Sequence, residues 1–276
     1  MGLTTQIGIM QGRLSSRIDG KIQAYPAKTW QKEFAIAKEI GYSAIEWIIE
    51  KPLEENALMS ISGIKEINKV ILYTGVKVDF VCADIFMQQP LIRMTEKIKE
   101  ENKKCLEQIL INSKAIGAIG VEIPFVDNSS IKTELEIEEL ISVTKDAFKL
   151  AKEIGIKISL ETDLNPEEFK RLLAKINLDH IMANYDIGNS ASLGYDPIEE
   201  LESYGQKILN VHVKDRKLGG TTVPLGTGNA DIKCVFEKLS EMGYAGGITM
   251  QAARGEHDIA IAREQLTFTL EILKNI

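Results

Sequence analysis

The sequence predicts an α/β fold: a single domain over residues 1–276, built as a closed barrel of eight parallel strands, each followed by a helix. Three observations lead there. Short β-branched runs alternate with longer stretches of helical periodicity from one end of the chain to the other. Eight such units fit into 276 residues, the usual size of one (β/α)8 barrel. The rival architecture, an open doubly wound sheet, carries a glycine-rich phosphate fingerprint after its first strand, and Gly8 and Gly12 do not have that spacing.

The strands are expected at residues 6–10, 44–49, 77–83, 120–125, 157–161, 181–186, 208–213 and 247–251. Among the intervening helices the clearest spans residues 95–116, where Ile98, Leu106, Ile109, Leu110 and Ile116 recur at spacings that keep one face apolar. Residues 131–154 and 231–242 read the same way. Gly41, Gly117, Gly155 and Gly243 follow helical runs, where glycine supplies the left-handed cap before the next strand. Strict β–α alternation without a strand-only region implies a parallel sheet, and no linker or low-complexity stretch interrupts it.

The composition, 44% hydrophobic and 26% charged, is that of a globular protein. A net charge of −7 weighs against a nucleic-acid partner, because phosphate neutralisation needs a basic surface. No apolar run reaches the ~20 residues needed to span a membrane. Residues 1–10 lack the basic and apolar regions of a secretory leader. Cys82, Cys105 and Cys234 are odd in number and far apart, which suggests neither a disulfide framework nor a thiolate zinc site. A cytoplasmic location is expected.

Strand side chains alternate faces with period two, and this divides the last four strands consistently. Ile156, Ile158 and Leu160 oppose Ser159 and Glu161, and Ile181, Ala183 and Tyr185 oppose Asn184 and Asp186. Val211 and Val213 oppose Asn210, His212 and Lys214, and Ile248 and Met250 oppose Thr249 and Gln251. With the apolar sets facing the helices, four adjacent strands send polar groups into the lumen near their C-terminal ends, where barrel enzymes place their chemistry. Burying such groups without partners costs about 1–3 kcal/mol each for neutral ones and more for charged ones. One divalent cation held by Glu161, Asp186, His212 and Gln251 would be the missing partner. Carboxylate, imidazole and amide ligands favour manganese, magnesium, zinc or cobalt.

The segments Ser159-Leu-Glu161, Asp186-Ile-Gly-Asn189, Val211-His-Val-Lys-Asp215 and Gly226-Thr-Gly-Asn-Ala-Asp231 resemble the xylose isomerase-like barrel superfamily of sugar and sugar-phosphate isomerases and epimerases, over nearly the whole chain and in the same order. The resemblance implies a single divalent metal bound by a Glu, an Asp, a His and a second Glu from the last four strands, here Glu161, Asp186, His212 and Gln251. The last position departs from the pattern: an amide oxygen can ligate a metal, but glutamine cannot carry a proton. Glu161 therefore remains as the single base of the usual pair. One base suffices for aldose–ketose isomerisation through an enediolate, so the resemblance implies a metal-dependent isomerase, or epimerase, of a sugar or sugar phosphate. A metal-dependent dehydratase of a keto-polyol such as an inosose, and a barrel that binds its ligand without catalysis, are the alternatives. A DNA-repair endonuclease on this barrel would need many histidines, and the chain has three, His180, His212 and His257. Members of the superfamily are often dimers or tetramers, so a homo-oligomer is in keeping with the resemblance.

For substrate contacts the sequence offers Lys214, Arg216, Arg254, Arg13 and Glu46, with Glu122 also on inward parity. For Lys214, Arg216, Arg254 and Arg13 a surface salt bridge is an equal reading. Glu256 and His257 are weaker candidates for an acid and better read as the start of the last helix. Trp30 and Trp47 are expected to pack, and the glycine-rich stretch from Gly219 to Gly228 to cradle a phosphate or form a lid.

Overall fold

The computed structural model describes residue 3 and residues 6–276. The reading of residues 1–10 as lacking a leader falls in part outside them. The strands in chain order are β1 (Gly8–Met10), β2 (Ala44–Ile48), β3 (Phe80–Cys82), β4 (Gly120–Phe125), β5 (Lys157–Thr162), β6 (Ile181–Asp186), β7 (Ile208–Val213), β8 (Asp215–Arg216), β9 (Thr222–Val223) and β10 (Gly247–Met250). The α-helices are α1 (Trp30–Ile40), α2 (Ile61–Thr74), α3 (Ile85–Gln88), α4 (Glu96–Ala115), α5 (Glu134–Ile154), α6 (Pro166–Ile176), α7 (Ile187–Leu193), α8 (Pro197–Tyr204), α9 (Ile232–Glu241) and α10 (Asp258–Leu273). All strands but β8 and β9 close into one parallel barrel in the order β1-β10-β7-β6-β5-β4-β3-β2. β8 and β9 form a separate antiparallel hairpin.

Side-chain alternation sorts the two sides of the barrel wall. Ile9, Trp47, Val81, Ile123, Leu160, Tyr185, Val211 and Met250 join the large core between strands and helices. Met10, Ile48 and Cys82, one residue out of phase, form a small cluster of their own inside the lumen. The lumen floor is plugged by Phe80, and a Cβ on Gly247 would overlap its ring, so glycine there admits the plug.

The expected β3 is shortened at its start, where Lys77 makes only an isolated bridge to Ala44 and the ladder resumes at Phe80. Helix ends follow their capping chemistry. Thr95 accepts from the backbone N–H of Ile98, Thr133 and Glu136 form a capping box, and Gly41 and Gly155 close α1 and α5 with φ of 110° and 68°. Among the described residues no helix is long and apolar enough to cross a membrane.

Candidate metal centre

One register irregularity sets the phase of the site. Between β6 and β7 Ala183 faces Ile208, but Asn184 faces Asn210, so β7 carries one extra residue. Beyond this bulge Asp186 lies beside His212, and Thr249 of β10 flanks His212 on the other side. Glu161 comes from the C-terminal part of β5 and Gln251 immediately follows β10. Ligand atoms of Glu161, Asp186 and His212 lie within 4.8 Å of one another, and all three residues are buried. Gln251 joins them through Lys214, whose Nζ is 2.7 Å from Asp186 Oδ2 and donates to Gln251 Oε1 at 2.6 Å.

Each group is oriented from behind. Glu161 Oε1 accepts from Asn189 Nδ2 at 2.7 Å and Oε2 from Asn184 Nδ2 at 3.0 Å. His212 Nδ1 faces Glu161 Oε2 at 3.5 Å, while Nε2 points away, 3.2 Å from Glu46 Oε1 and 3.3 Å from Glu122 Oε2. Asn210 Nδ2 in turn donates to Glu46 at 2.9 Å. Lys214 crosses Gly188, where a Cβ would come within 2.8 Å of its Cγ and 2.9 Å of its carbonyl carbon, so the close passage of β7 over α7 requires glycine.

The electrostatics follow from dense burial of charge. Burial resists ionisation of Glu161, but the hydrogen bond and charge of His212, with the Lys214 ammonium, outweigh it and hold the carboxyl at about 2. Burial likewise opposes charge on His212, and Glu46 and Glu122 overcome it, lifting the imidazole well above its usual range. Glu122 is itself pushed far up by burial; the His212 charge resists the shift, and Glu161 and Glu46 add to it. The donor set fits a hard or borderline divalent cation: two carboxylates, an imidazole and an amide oxygen. Asp186 Oδ2 has no hydrogen bond of good geometry, and the charge next to it is the Lys214 ammonium at 2.7 Å, which also meets Gln251.

Glu161 and Gln251 edge a cavity of about 370 Å³ at the C-terminal mouth, a volume usual for a small-molecule site, while Asp186 and His212 are buried behind its lining. Arg13, Lys214 and Arg216 line it, as do Glu122, Glu161 and Gln251. Burial, and then the charge of Arg254, lower Arg13 to about 10, and it donates to the carbonyls of Ile22 and Gln251. Arg216 is tied to Asn189 Oδ1 and the Gly220 carbonyl. Glu46 and Arg254 are not brought to the cavity wall. Glu46 lies beneath His212, and Arg254 is paired with Asp258 at 2.7 Å. Glu256 and His257 line a different cleft with Arg17, at the start of α10. Trp30 and Trp47 pack edge to face, 5.1 Å apart, in the core. The glycine-rich stretch folds around β8 and β9, and the fully buried Asp215 takes the N–H groups of Gly228 and Ala230 at 2.8 and 3.0 Å. Those amides are thus already bound by the protein's own carboxylate.

Sequence reasoning passed over Asp84 and Gln23, which also line the cavity. Both stand in loops or at a helix start, outside any strand alternation that could have pointed to them. A larger cavity of about 460 Å³ opens at the other end of the barrel, but among its described lining residues Lys157 alone is charged, so it offers no comparable chemistry.

Residues 34–272 match the family described as xylose isomerase-like TIM barrel. The chain belongs to that family. This xylose isomerase-like barrel is 22% identical over 238 residues to the L-ribulose-5-phosphate 3-epimerase of Shigella flexneri serotype 5b, covering 81% of this chain and 82% of the epimerase. It is 30% identical over 156 residues to the inosose dehydratase of Clostridium tetani, a match that covers 48% of this chain and 52% of the dehydratase. Among solved structures, an L-ribulose 3-epimerase superposes with a TM-score of 0.77 at 17% identity, covering 98% of this chain and 94% of that one. The IOLI protein with a bound zinc atom gives 0.75 at 18% identity, covering 99% and 96%. The last two likenesses are of fold. The relatives named by sequence are a sugar epimerase and an inosose dehydratase.

Proposed function

We propose that this chain is a divalent-metal-dependent enzyme that removes a proton beside the carbonyl of a sugar, as an isomerase or epimerase, with Glu161 as the base. The observation that carries this reading is the convergence of Glu161, Asp186 and His212 within 4.8 Å, with Glu161 on the wall of the mouth cavity. Glu161, Asp186, His212 Nδ1 and Gln251 Oε1 would hold the cation. When bound it would polarise the substrate carbonyl and favour the enediolate. Asn184 and Asn189 fix the Glu161 carboxylate from two sides, so its proton-accepting oxygen needs no reorientation during the reaction. Its low pKa keeps it ionised, the form a metal ligand or a base must take.

Arg13, Lys214 and Arg216 would hold substrate hydroxyls or a carbonyl oxygen. The same cavity also carries Asp84, Glu122, Asp127 and Asp163, and Arg13 and Arg216 already serve protein carbonyl oxygens. This balance favours an unphosphorylated sugar over its phosphate. A second reading, dehydration of a keto-polyol, draws on the 30% identity to an inosose dehydratase.

The test is a panel of ketoses and their phosphates incubated with the manganese-loaded protein in heavy water. Deuterium appearing beside a carbonyl, with substrate mass otherwise unchanged, is the expected result, and Glu161→Gln should abolish it. Loss of water would support the dehydratase. No exchange and no dehydration with any member of the panel would leave a binding protein.

A further inference from the structure

The cavity holds a carboxyl that the mechanism above does not use. Asp84 occupies the N-cap position of α3, yet its side chain makes no cap hydrogen bond to that helix. An aspartate there ordinarily accepts from the helix N–H groups. Here its oxygens turn to other donors: Oδ2 accepts from Gln23 Nε2 at 2.7 Å and Oδ1 from the Cys82 thiol at 3.3 Å. The residue remains partly open, and what it opens onto is the cavity edged by Glu161 and Gln251.

A chain of amides ties it to the metal-centre wall. Lys214 donates to Gln251 Oε1, Gln251 Nε2 donates to Gln23 Oε1 at 3.3 Å, and Gln23 Nε2 donates to Asp84. Each amide in this chain has its orientation fixed by the next. Gln251 thus presents its oxygen towards Lys214, and Asp84 is held at a set place on the wall just after β3. Burial pushes the Asp84 carboxyl above its ordinary range; the Gln23 and Cys82 hydrogen bonds resist that, and the Glu161 charge adds to it.

Resting on the reading of the chain as a sugar isomerase or epimerase, we infer that Asp84 is the second proton carrier, standing in for the carboxyl that Gln251 lacks, and that the reaction is an epimerisation. Glu161 takes the proton from the carbon beside the carbonyl, and the C–H electron pair moves into the enediolate. The Asp84 carboxyl then delivers its own proton to the other face of that carbon as the carbonyl re-forms. One proton has passed to Glu161 and one has left Asp84. Exchange with solvent resets both groups.

The test follows D-tagatose, L-ribulose and D-fructose with manganese-loaded protein in heavy water, reading exchange and epimer formation separately by proton NMR. Asp84→Asn keeps an acceptor for Gln23 and so preserves the fold. It should retain exchange within a few-fold while epimer formation falls on the order of 10²–10⁴-fold, and Asp84→Glu should recover part of the loss. Glu161→Gln should lose both. Epimer formed by Asp84→Asn at the wild-type rate would overturn the inference and leave the proposed function standing, as would a wild type that exchanges and yields only the aldose. A wild type that exchanges nothing across these and the wider panel would overturn both.

Discussion

His212 has two ring nitrogens facing two sets of carboxylates, and the division matters chemically. With Nε2 carrying its proton towards Glu46, loss of the other proton on metal binding would leave Nδ1 as a lone-pair donor facing Glu161. Glu46→Gln should weaken that preference and lower manganese affinity about 10–100-fold, measured by titrating the metal-stripped protein, with the circular dichroism spectrum unchanged. Unchanged affinity would mean that Glu46 does not orient the ring. Glu33 allows a prediction of pH dependence. It is buried under the first loop, accepting from Gly12 and Leu14, and burial raises it from 4.5 to about 7 against those two hydrogen bonds. The folded chain thus keeps a proton that the unfolded chain loses near 4.5. The contribution is whole below that pH and is lost as pH rises through 7, on the order of 3 kcal/mol in all. Urea midpoints should fall over this window, and Glu33→Gln should flatten the slope. At this scale the sequence was legible where strand alternation applies: the inward parity of residues 161, 186, 212 and 251 could be counted off. Asp84, Gln23 and Glu33 belong to loops or to a helix start, whose positions depend on long-range packing that no local period encodes.

At the scale of elements, β5, β6 and β7 ran nearly as expected because each alternates apolar and polar residues towards its C-terminal end. The extra residue in β7 was not legible, since a bulge leaves apolar and polar residues alternating on both sides of it. The hairpin of β8 and β9 was missed for a related reason, being two residues per strand and held by Asp215 rather than by hydrophobic alternation. Capping was legible, and it can be measured. Thr133→Ala removes one half of the box at the start of α5 and should cost about 1 kcal/mol in denaturant unfolding. A loss below a few tenths of a kcal/mol would mean that solvent satisfies the freed Glu136 N–H.

For the whole molecule, closure of the barrel is what brings β5, β6, β7 and β10 around one point, so occupancy of that point should register in global stability. Manganese at 100 times its dissociation constant should stabilise the fold by about 2.7 kcal/mol, or roughly 5–10 °C in melting temperature, relative to chelator-stripped protein. Equal melting curves with and without the cation would argue against a metal centre. The fold class was legible because eight alternating units leave few topologies, whereas the departure at Gln251 was visible in the sequence but its partners were not. The mouth itself is two-faced. Ile22, Cys82, Met87, Pro124, Val126 and Leu193 edge the same 370 Å³ cavity as the charged groups. A visiting molecule therefore meets carbon set among charge, and one that bears a methyl in place of a hydroxymethyl group has somewhere dry to rest it. Deoxy analogues should accordingly be welcomed where the missing hydroxyl would lie on those carbons and refused where it would meet Glu161.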